Sequence, residues 1–316
     1  MRGPIRPHDE PNAAPRIPPR GRGGALTMSE VNSMAVVGAG AMGSGIAYTA
    51  ALAGIRAYQI DVLPEQLKRA EAYHQKTAGR AVEKERITQA DADAALGRIS
   101  YHTDLEDARG ADWGVEAVIE RVDLKKEICR KMLDLFANDA VLATNTSSIA
   151  ITDIATGAGD HAGRVIGMHF FNPVPVMKLV EVIRGLATSD ETFTRTMELA
   201  QRLGKTPVPA NDRAGFVANR ILMPMINEAF YAWMEGVAQP EHIDEIMKLG
   251  MAHPMGPLRL ADFIGLDVCH NIMMVLYDEL GQDKYFPCPL LRQLVQAGRL
   301  GDKTGRGVYD YSEGKG

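Results

Sequence analysis

Cysteine is scarce in this chain. Cys129, Cys269 and Cys288 are widely spaced, odd in number and never arranged as CxxC. That argues against a zinc knuckle or a disulfide frame and fits reduced thiols in the cytoplasm. No metal-ligand set is expected. Positive charge is not in excess either: the formal net charge is -5, which leaves no basic footprint for nucleic acid. There is no GxSxG, and no base stands near a serine, so nucleophilic serine chemistry is not expected. Residues 1–30 lack any apolar run. Their "MRGPIRPHDEPNAAPRIPPRGRGG" is rich in Arg, Pro and Gly, and it lacks the apolar core of a secretory signal. It cannot bury enough surface to fold, so a disordered extension is expected, with Met28 standing just before the first strand. Charge is absent from 31–55, yet that stretch is Ala/Gly-rich, with clustered glycines and few large aliphatics. It reads as strand, turn and helix, and no membrane contact is expected.

At 316 residues the chain is longer than one compact core usually serves, so two domains are expected. Over 31–212, strands alternate with helices, which implies an α/β fold with a doubly wound, mostly parallel Rossmann-type sheet. Strands are expected to end at Val37 and Asp61 and to cover 110–120, 140–148, 164–170, 177–185 and "TPVPA". A helical hairpin over about 64–98 interrupts them, with Thr88 and Asp91 marking the start of its second arm. After about Asp212 only helical periods remain, so 213–316 is expected to be an all-α C-terminal domain. Eight of the 16 methionines fall between 223 and 274, which suits a helical core or a subunit interface.

"GAGAMG" at 38–43 matches GxGxxG in the right context. A strand precedes it, a helix follows, and Asp61 ends the next strand. Gly38 permits the tight turn, Gly40 lets the backbone approach a pyrophosphate, and Gly43 lets the helix lie close to the sheet. The helix start at Ala41 and Met42 supplies free N–H groups and positive dipole to the phosphates. Asp61 would accept from the ribose hydroxyls and repel a 2′-phosphate, which favours NAD over NADP.

His169 ends an apolar strand, where open α/β sheets bind ligands. Its imidazole can take a proton from an alcohol as hydride leaves. Glu181 lies between Val180 and Val182 in the next strand. A carboxylate buried there is costly unless paired. A nearby imidazole would pair it, giving a base with its orienting partner. Asn172-Pro173 marks a turn beside the nicotinamide end. Asn219, at a domain junction, faces the cleft where substrates bind. "SSIAITDIA" reads as a capped helix, with a serine in position to serve as the cap. Glu120 and Lys125 bracket a helix start, which on residue pattern alone is an ordinary solvated terminus.

"VVGAGAMGSGIA", "NTSS", "GMHFFNPVPVMKLVEVI", "GFVANRI", "HPMGP", "GLD" and "KTGRG" with Tyr309 and Tyr311 occur in this order. Together they resemble the L-3-hydroxyacyl-CoA dehydrogenases, and most of all the bacterial 3-hydroxybutyryl-CoA dehydrogenases, over roughly 31–312. The resemblance implies His169 as general base and Glu181 as its partner. It implies that Ser147 contacts the substrate hydroxyl near the nicotinamide and that Asn219 positions the substrate. Glu120, Lys125, Asn172 and Lys303 match positions that contact NAD, and Thr77 and Lys84 match CoA contacts. It further implies an acyl-CoA thioester substrate, a role in fatty-acid or butanoate metabolism, and a homodimer through the C-terminal helices. Arg121, Thr77 and Arg259 depart from residues common at their positions. Two rivals stay open: a related dehydrogenase of a free hydroxy or sugar acid, and a non-catalytic NAD-binding protein.

Overall fold

The computed structural model describes residues 30–312. All but Glu30 of the expected extension over 1–30 therefore lies outside the described residues. From Val31 onward the described residues form one compact unit.

The sheet half is built in a repeating order. β1 (Ser33–Val37) leads into α1 (Ala41–Leu52), and β2 (Arg56–Ile60) leads into α2 (Pro64–Glu83) and α3 (Gln89–Leu96). β3 (Ile99–His102), β4 (Trp113–Glu116), α4 (Val122–Leu135), β5 (Val141–Thr144) and α5 (Ile151–Ala155) follow. β6 (Val165–Phe170), β7 (Leu179–Arg184), α6 (Asp190–Arg202) and β8 (Thr206–Asn211) complete it. The eight strands form one sheet in the order β3-β2-β1-β4-β5-β6-β7-β8. All neighbours are parallel except β6 and β7. The chain order reverses direction between β1 and β4, which is where such sheets open a ligand crevice. The uncharged stretch over 31–55 is thus β1, the glycine turn and α1. No single helix among the described residues is long and apolar enough to cross a membrane.

Each face of the sheet has its own core. Ile46, Trp113, Met168, Val180 and Leu199 pack on one side with α1 and α6. Ala35, Ile128, Met132, Ile151 and Ile183 pack on the other with α4 and α5. The hairpin of α2 and α3 breaks where expected, and Thr88 caps α3 in a reciprocal capping box with Asp91. His74, fully buried on α2, fastens the hairpin to the sheet half. Its ring nitrogens lie 2.8 Å from Tyr101 Oη and 2.8 Å from the Ser44 carbonyl. β3 was not foreseen, since four residues behind a helix carry little pattern. The strand expected over 110–120 is shorter, because the chain leaves the sheet after Glu116.

The helical half comprises α7 (Ala218–Met234), α8 (Pro240–Gly250), α9 (Pro257–Ile264), α10 (Leu266–Leu280) and α11 (Pro289–Gln296). Met223, Phe230, Leu258, Met273, Leu276 and Leu291 form its core. Six of the eight methionines noted above are not buried there. Met251 is 62% exposed.

Candidate active site

The parallel strands β1, β2, β4, β5 and β6 present their carboxyl ends on one edge of the sheet, and the candidate residues gather there. At the β1–α1 turn, Gly38 has a φ of +104°, and a Cβ on it would come 2.5 Å from the Ala117 carbonyl. A Cβ on Gly43 would lie 1.8 Å from the Gly38 carbonyl, so the turn closes only without side chains. Beyond Gly40 there is open space. Ala41 and Met42 begin α1 with no side-chain cap, which leaves amide N–H groups for a phosphate. Asp61 accepts from the Ala39 amide at 2.8 Å and from the Leu63 amide at 3.0 Å. It helps line a cleft of 910 Å³ with Gly38, Gly40, Leu63, Val118 and Ile119. A cradle of open backbone, bare helix start and ribose-facing acid fits a dinucleotide. Gln59, buried one residue before Ile60, steadies the turn by donating to the Gly38 carbonyl at 2.9 Å.

Glu120 and Lys125 are not a solvated terminus. The Lys125 ammonium is fully buried, 2.8 Å from Glu116 Oε1 and 3.2 Å from Glu120 Oε2. Glu116 also accepts from the Val118 amide and the Thr144 hydroxyl. Glu120 accepts from the Thr146 hydroxyl, the Ser147 amide at 2.9 Å and the Ser148 amide at 3.1 Å. Burial pushes the Glu120 carboxyl up, but Lys125 and these donors outweigh it and hold it below its usual range. The "NTSS" loop is therefore gripped by a carboxylate that a buried cation fixes. Glu116 was not singled out from the sequence. Its signal was the one that exposed Glu181, an acid inside an apolar strand.

Capping of α5 also differs from expectation. No serine caps it; Asp212 accepts from the Ile151 and Thr152 amides at 2.9 and 2.7 Å. Ser148 instead binds Glu120, so its hydroxyl is already engaged. The Ser147 hydroxyl is less committed, 3.4 Å from Glu120.

His169 and Glu181 stand directly opposite each other in the antiparallel β6–β7 pair. Cross-strand partners share a face, and here Nδ1 of His169 lies 2.7 Å from Oε2 of Glu181. Both side chains are buried. The other Glu181 oxygen accepts from the Val217 and Ala218 amides at 3.2 and 3.0 Å. Burial raises the Glu181 carboxyl, but the His169 contact and these amides more than offset it and leave it below its usual range. That makes Nδ1 the donor and leaves Nε2 as the reactive nitrogen, without a protein partner among the described residues. Asn219, one residue after Ala218, donates to the Ser147 carbonyl at 3.0 Å. The start of α7 thus touches both the Glu181 carboxylate and the "NTSS" loop.

Asn172 is exposed in the loop joining β6 to β7. Lys205, another residue not foreseen, clamps that loop by donating to the Val174 and Met177 carbonyls. Burial, helped by Lys178, lowers its pKa to about 8. Three candidates are not drawn into this group. Lys303 pairs with Asp267 at 2.6 Å in the helical half. Thr77 lies half-buried on α2, and Lys84 is exposed at its end. A separate hollow of 450 Å³ among Glu241, Asp244, Lys248, Arg259 and Tyr309 is lined by none of the candidates. Convergent polar groups, not cavity shape, locate the site. Among the described residues no cluster could hold a metal ion.

Comparison with known proteins gives the family. The model of the 3-hydroxyacyl-CoA dehydrogenase NAD-binding domain matches residues 33–213, and that of the C-terminal domain of 3-hydroxyacyl-CoA dehydrogenase matches 215–311. A probable 3-hydroxybutyryl-CoA dehydrogenase of Bacillus subtilis is 54% identical, covering 90% of this chain and 99% of that protein. A 3-hydroxybutyryl-CoA dehydrogenase of Bradyrhizobium diazoefficiens is 47% identical, covering 90% of this chain and 97% of the relative. The crystal structure of (S)-3-hydroxybutyryl-CoA dehydrogenase from Ralstonia eutropha superposes with a TM-score of 0.86 at 47% identity, covering 90% of this chain and all of that one. With a dinucleotide cradle, a paired histidine and both family domains present in order, the chain belongs to the NAD-dependent 3-hydroxyacyl-CoA dehydrogenase family.

Proposed function

We propose that the protein reversibly oxidises an (S)-3-hydroxyacyl-CoA to the 3-oxoacyl-CoA, with short-chain 3-hydroxybutyryl-CoA as its substrate. The observation that carries this reading is the 2.7 Å contact between His169 and Glu181 at the carboxyl edge of the sheet. When bound, NAD supplies the acceptor for the hydride leaving C3. Nε2 of His169 takes the hydroxyl proton, and Glu181 stabilises the imidazolium through Nδ1. In reduction the charged His169 returns that proton. The loosely held Ser147 hydroxyl meets the substrate hydroxyl. Asn219 positions the substrate and polarises its keto or thioester oxygen.

Gly38, Gly40, Ala41, Met42, Gly43 and Asp61 hold the cofactor, with Glu120, Lys125 and Asn172 on its nicotinamide side. Glu120 and Lys125 act there mainly by shaping the "NTSS" loop, which their hydrogen bonds support. Lys303 as a cofactor contact rests on the resemblance alone. Thr77 and Lys84 serve CoA, where an exposed ammonium suits a phosphate. The enzyme works in the cytoplasm, in fatty-acid or butanoate metabolism, as a homodimer. Exposed Ile221, Val237, Ile246, Leu249 and Met251 in the helical half support a dimer through these helices.

The test is an NADH-linked rate series over 3-oxoacyl-CoA chain lengths, with NADPH and free 3-oxo acids as controls. Turnover greatest on the four-carbon thioester with NADH is expected. Turnover on the free acid but not the thioester would shift the reading to a hydroxy-acid dehydrogenase. NAD binding without turnover on any thioester would leave a non-catalytic protein.

A further inference from the structure

Two rings wall the His169 imidazole. Phe171 lies 4.7 Å away between centroids and Phe216 5.7 Å away. Phe216 comes from the link between β8 and α7, and its backbone is unusual. Its φ is +48°, in the left-handed region that side chains avoid. The next residue, Val217, returns to the right-handed region at φ -97°, ψ -49°. A left-handed residue followed by a right-handed one turns successive N–H groups toward one point, forming a concavity for an anion. Here the Val217 and Ala218 amides both meet Oε1 of Glu181. The anion in this concavity is the carboxylate that pairs with His169.

Glycine would adopt such a turn at lower cost. Gly215, just before it, has a reason of its own to be glycine, since a Cβ would come 2.7 Å from Leu276 Cδ2. Position 216 carries a large ring instead, buried to 4% exposure and set against His169. The turn itself does not call for that ring; the imidazole does. A strained residue persists only where its surroundings hold it, and such residues gather at working sites.

We propose that Phe216 is a positioning residue for the His169–Glu181 pair. Its left-handed backbone aims two N–H donors at Glu181, and its ring fixes the plane of the imidazole. A carboxylate stripped of those donors becomes more basic, so the pair holds its proton to higher pH. A ring freed from its wall presents Nε2 less often in the reactive direction.

Two substitutions separate these actions. Phe216→Ile keeps an apolar side chain but opposes positive φ through its branched Cβ. Phe216→Gly keeps the turn and removes the ring. The readouts are the NMR titration of the His169 imidazole and the pH profile of NADH-linked turnover. In Phe216→Ile, the titration and the acid limb of hydroxyacyl-CoA oxidation are expected to move to higher pH. Its kcat should fall on the order of 10-fold or more, with KM for NAD unchanged. In Phe216→Gly the titration is expected to stay with wild type while kcat falls by a smaller factor. Wild-type titration and wild-type kcat in both variants, whatever happens to Tm, would overturn the proposal. Should the isoleucine chain fail to fold, the glycine variant decides, because a wild-type kcat there removes the ring from any positioning role. The turnover arm rests on the dehydrogenase reading, but the imidazole titration does not. If wild type oxidises no hydroxyacyl-CoA, that reading fails, and the titration still tests Phe216.

Discussion

The sheet half and the helical half both bury charged groups, but they direct them differently. In the sheet half, Glu116, Lys125, Glu120, His169 and Glu181 gather toward the carboxyl edge of the sheet, and Nε2 of His169 is left without a protein partner among the described residues. In the helical half, buried Asp262 accepts from the Val308 and Tyr309 amides and from the Tyr311 hydroxyl. Asp244 caps α9 through the Leu258 and Arg259 amides and also accepts from the Tyr309 hydroxyl. Asn227 bridges the Phe286 carbonyl and the Cys288 amide. These groups satisfy their own loops and face no cleft that the candidates share. A buried acid is therefore no mark of catalysis by itself. What distinguishes Glu181 is a partner with one nitrogen left over.

The largest expected effect tests that distinction directly. His169→Gln should lower turnover by about 100- to 10,000-fold, the usual worth of a general base. NAD binding, read by NADH fluorescence titration, should remain. Near-normal turnover would place His169 with the structural groups. Glu181→Gln should also cut turnover, and its effect on stability has a predictable sign. The folded carboxyl group lies below its ordinary value, so its contribution is fully present above the unfolded pKa. That contribution is lost as pH falls through the folded value. Wild type should therefore lose more Tm on acidification than Glu181→Gln does, and equal losses would show that the pair adds no stability.

Asp262→Ala is the counterpart in the helical half. Removing it leaves two buried amides and a phenol unpartnered, at roughly 1–3 kcal/mol for each such group. Gly301 and Gly307 approach Asp262 so closely that a Cβ on either would collide with it, so the loop cannot shift easily to compensate. A large drop in Tm with near-wild-type kcat in the folded enzyme is expected. A kcat loss at unchanged Tm would erase the contrast between the halves.

The same contrast decides what the sequence made legible. GxGxxG with Asp61, the pairing of His169 with Glu181 and the Thr88 cap could be read because each depends on neighbours or on strand alternation. The Asp212 cap could not, because it joins residues sixty positions apart. Glu116 was legible in principle, since an acid beside Val115 in a short apolar strand poses the question that Glu181 posed. Its answer, Lys125, was hidden by the reading of a solvated helix start. "HPMGP" and "KTGRG" stood out as motifs, but only the structure connects them to Asp244 and Asp262. Lys205 carries no sequence signal, because its partners are main-chain carbonyls.

Asp61 offers a smaller effect at the cleft. Asp61→Asn loses the charge that disfavours a 2′-phosphate and weakens the bond to the Ala39 amide. A charge-assisted hydrogen bond is worth about 1.5–3 kcal/mol, so KM for NAD should rise on the order of 10-fold or more. The ratio of NAD to NADP efficiency should fall with it. An unchanged ratio would mean that the cleft reads the cofactor through backbone alone.

The smallest expected effect falls where the two halves could still be linked. Arg259 departs from the residue common at its position, a departure that on sequence alone fits either the acyl end of the site or plain surface. In the structure it forms two hydrogen bonds to Asp302, at 3.0 and 3.1 Å, and lies over the Tyr311 ring at 5.0 Å. It is partly exposed, so the ion pair should contribute at most about 1 kcal/mol. Arg259→Leu should lower Tm slightly and leave the acyl-chain profile unchanged. Asp302 is next to Lys303, whose pairing with Asp267 holds the same loop. If Arg259→Leu instead alters chain-length preference or KM for NAD, this loop reaches the cleft in the working enzyme. The helical half would then be part of the site rather than its support.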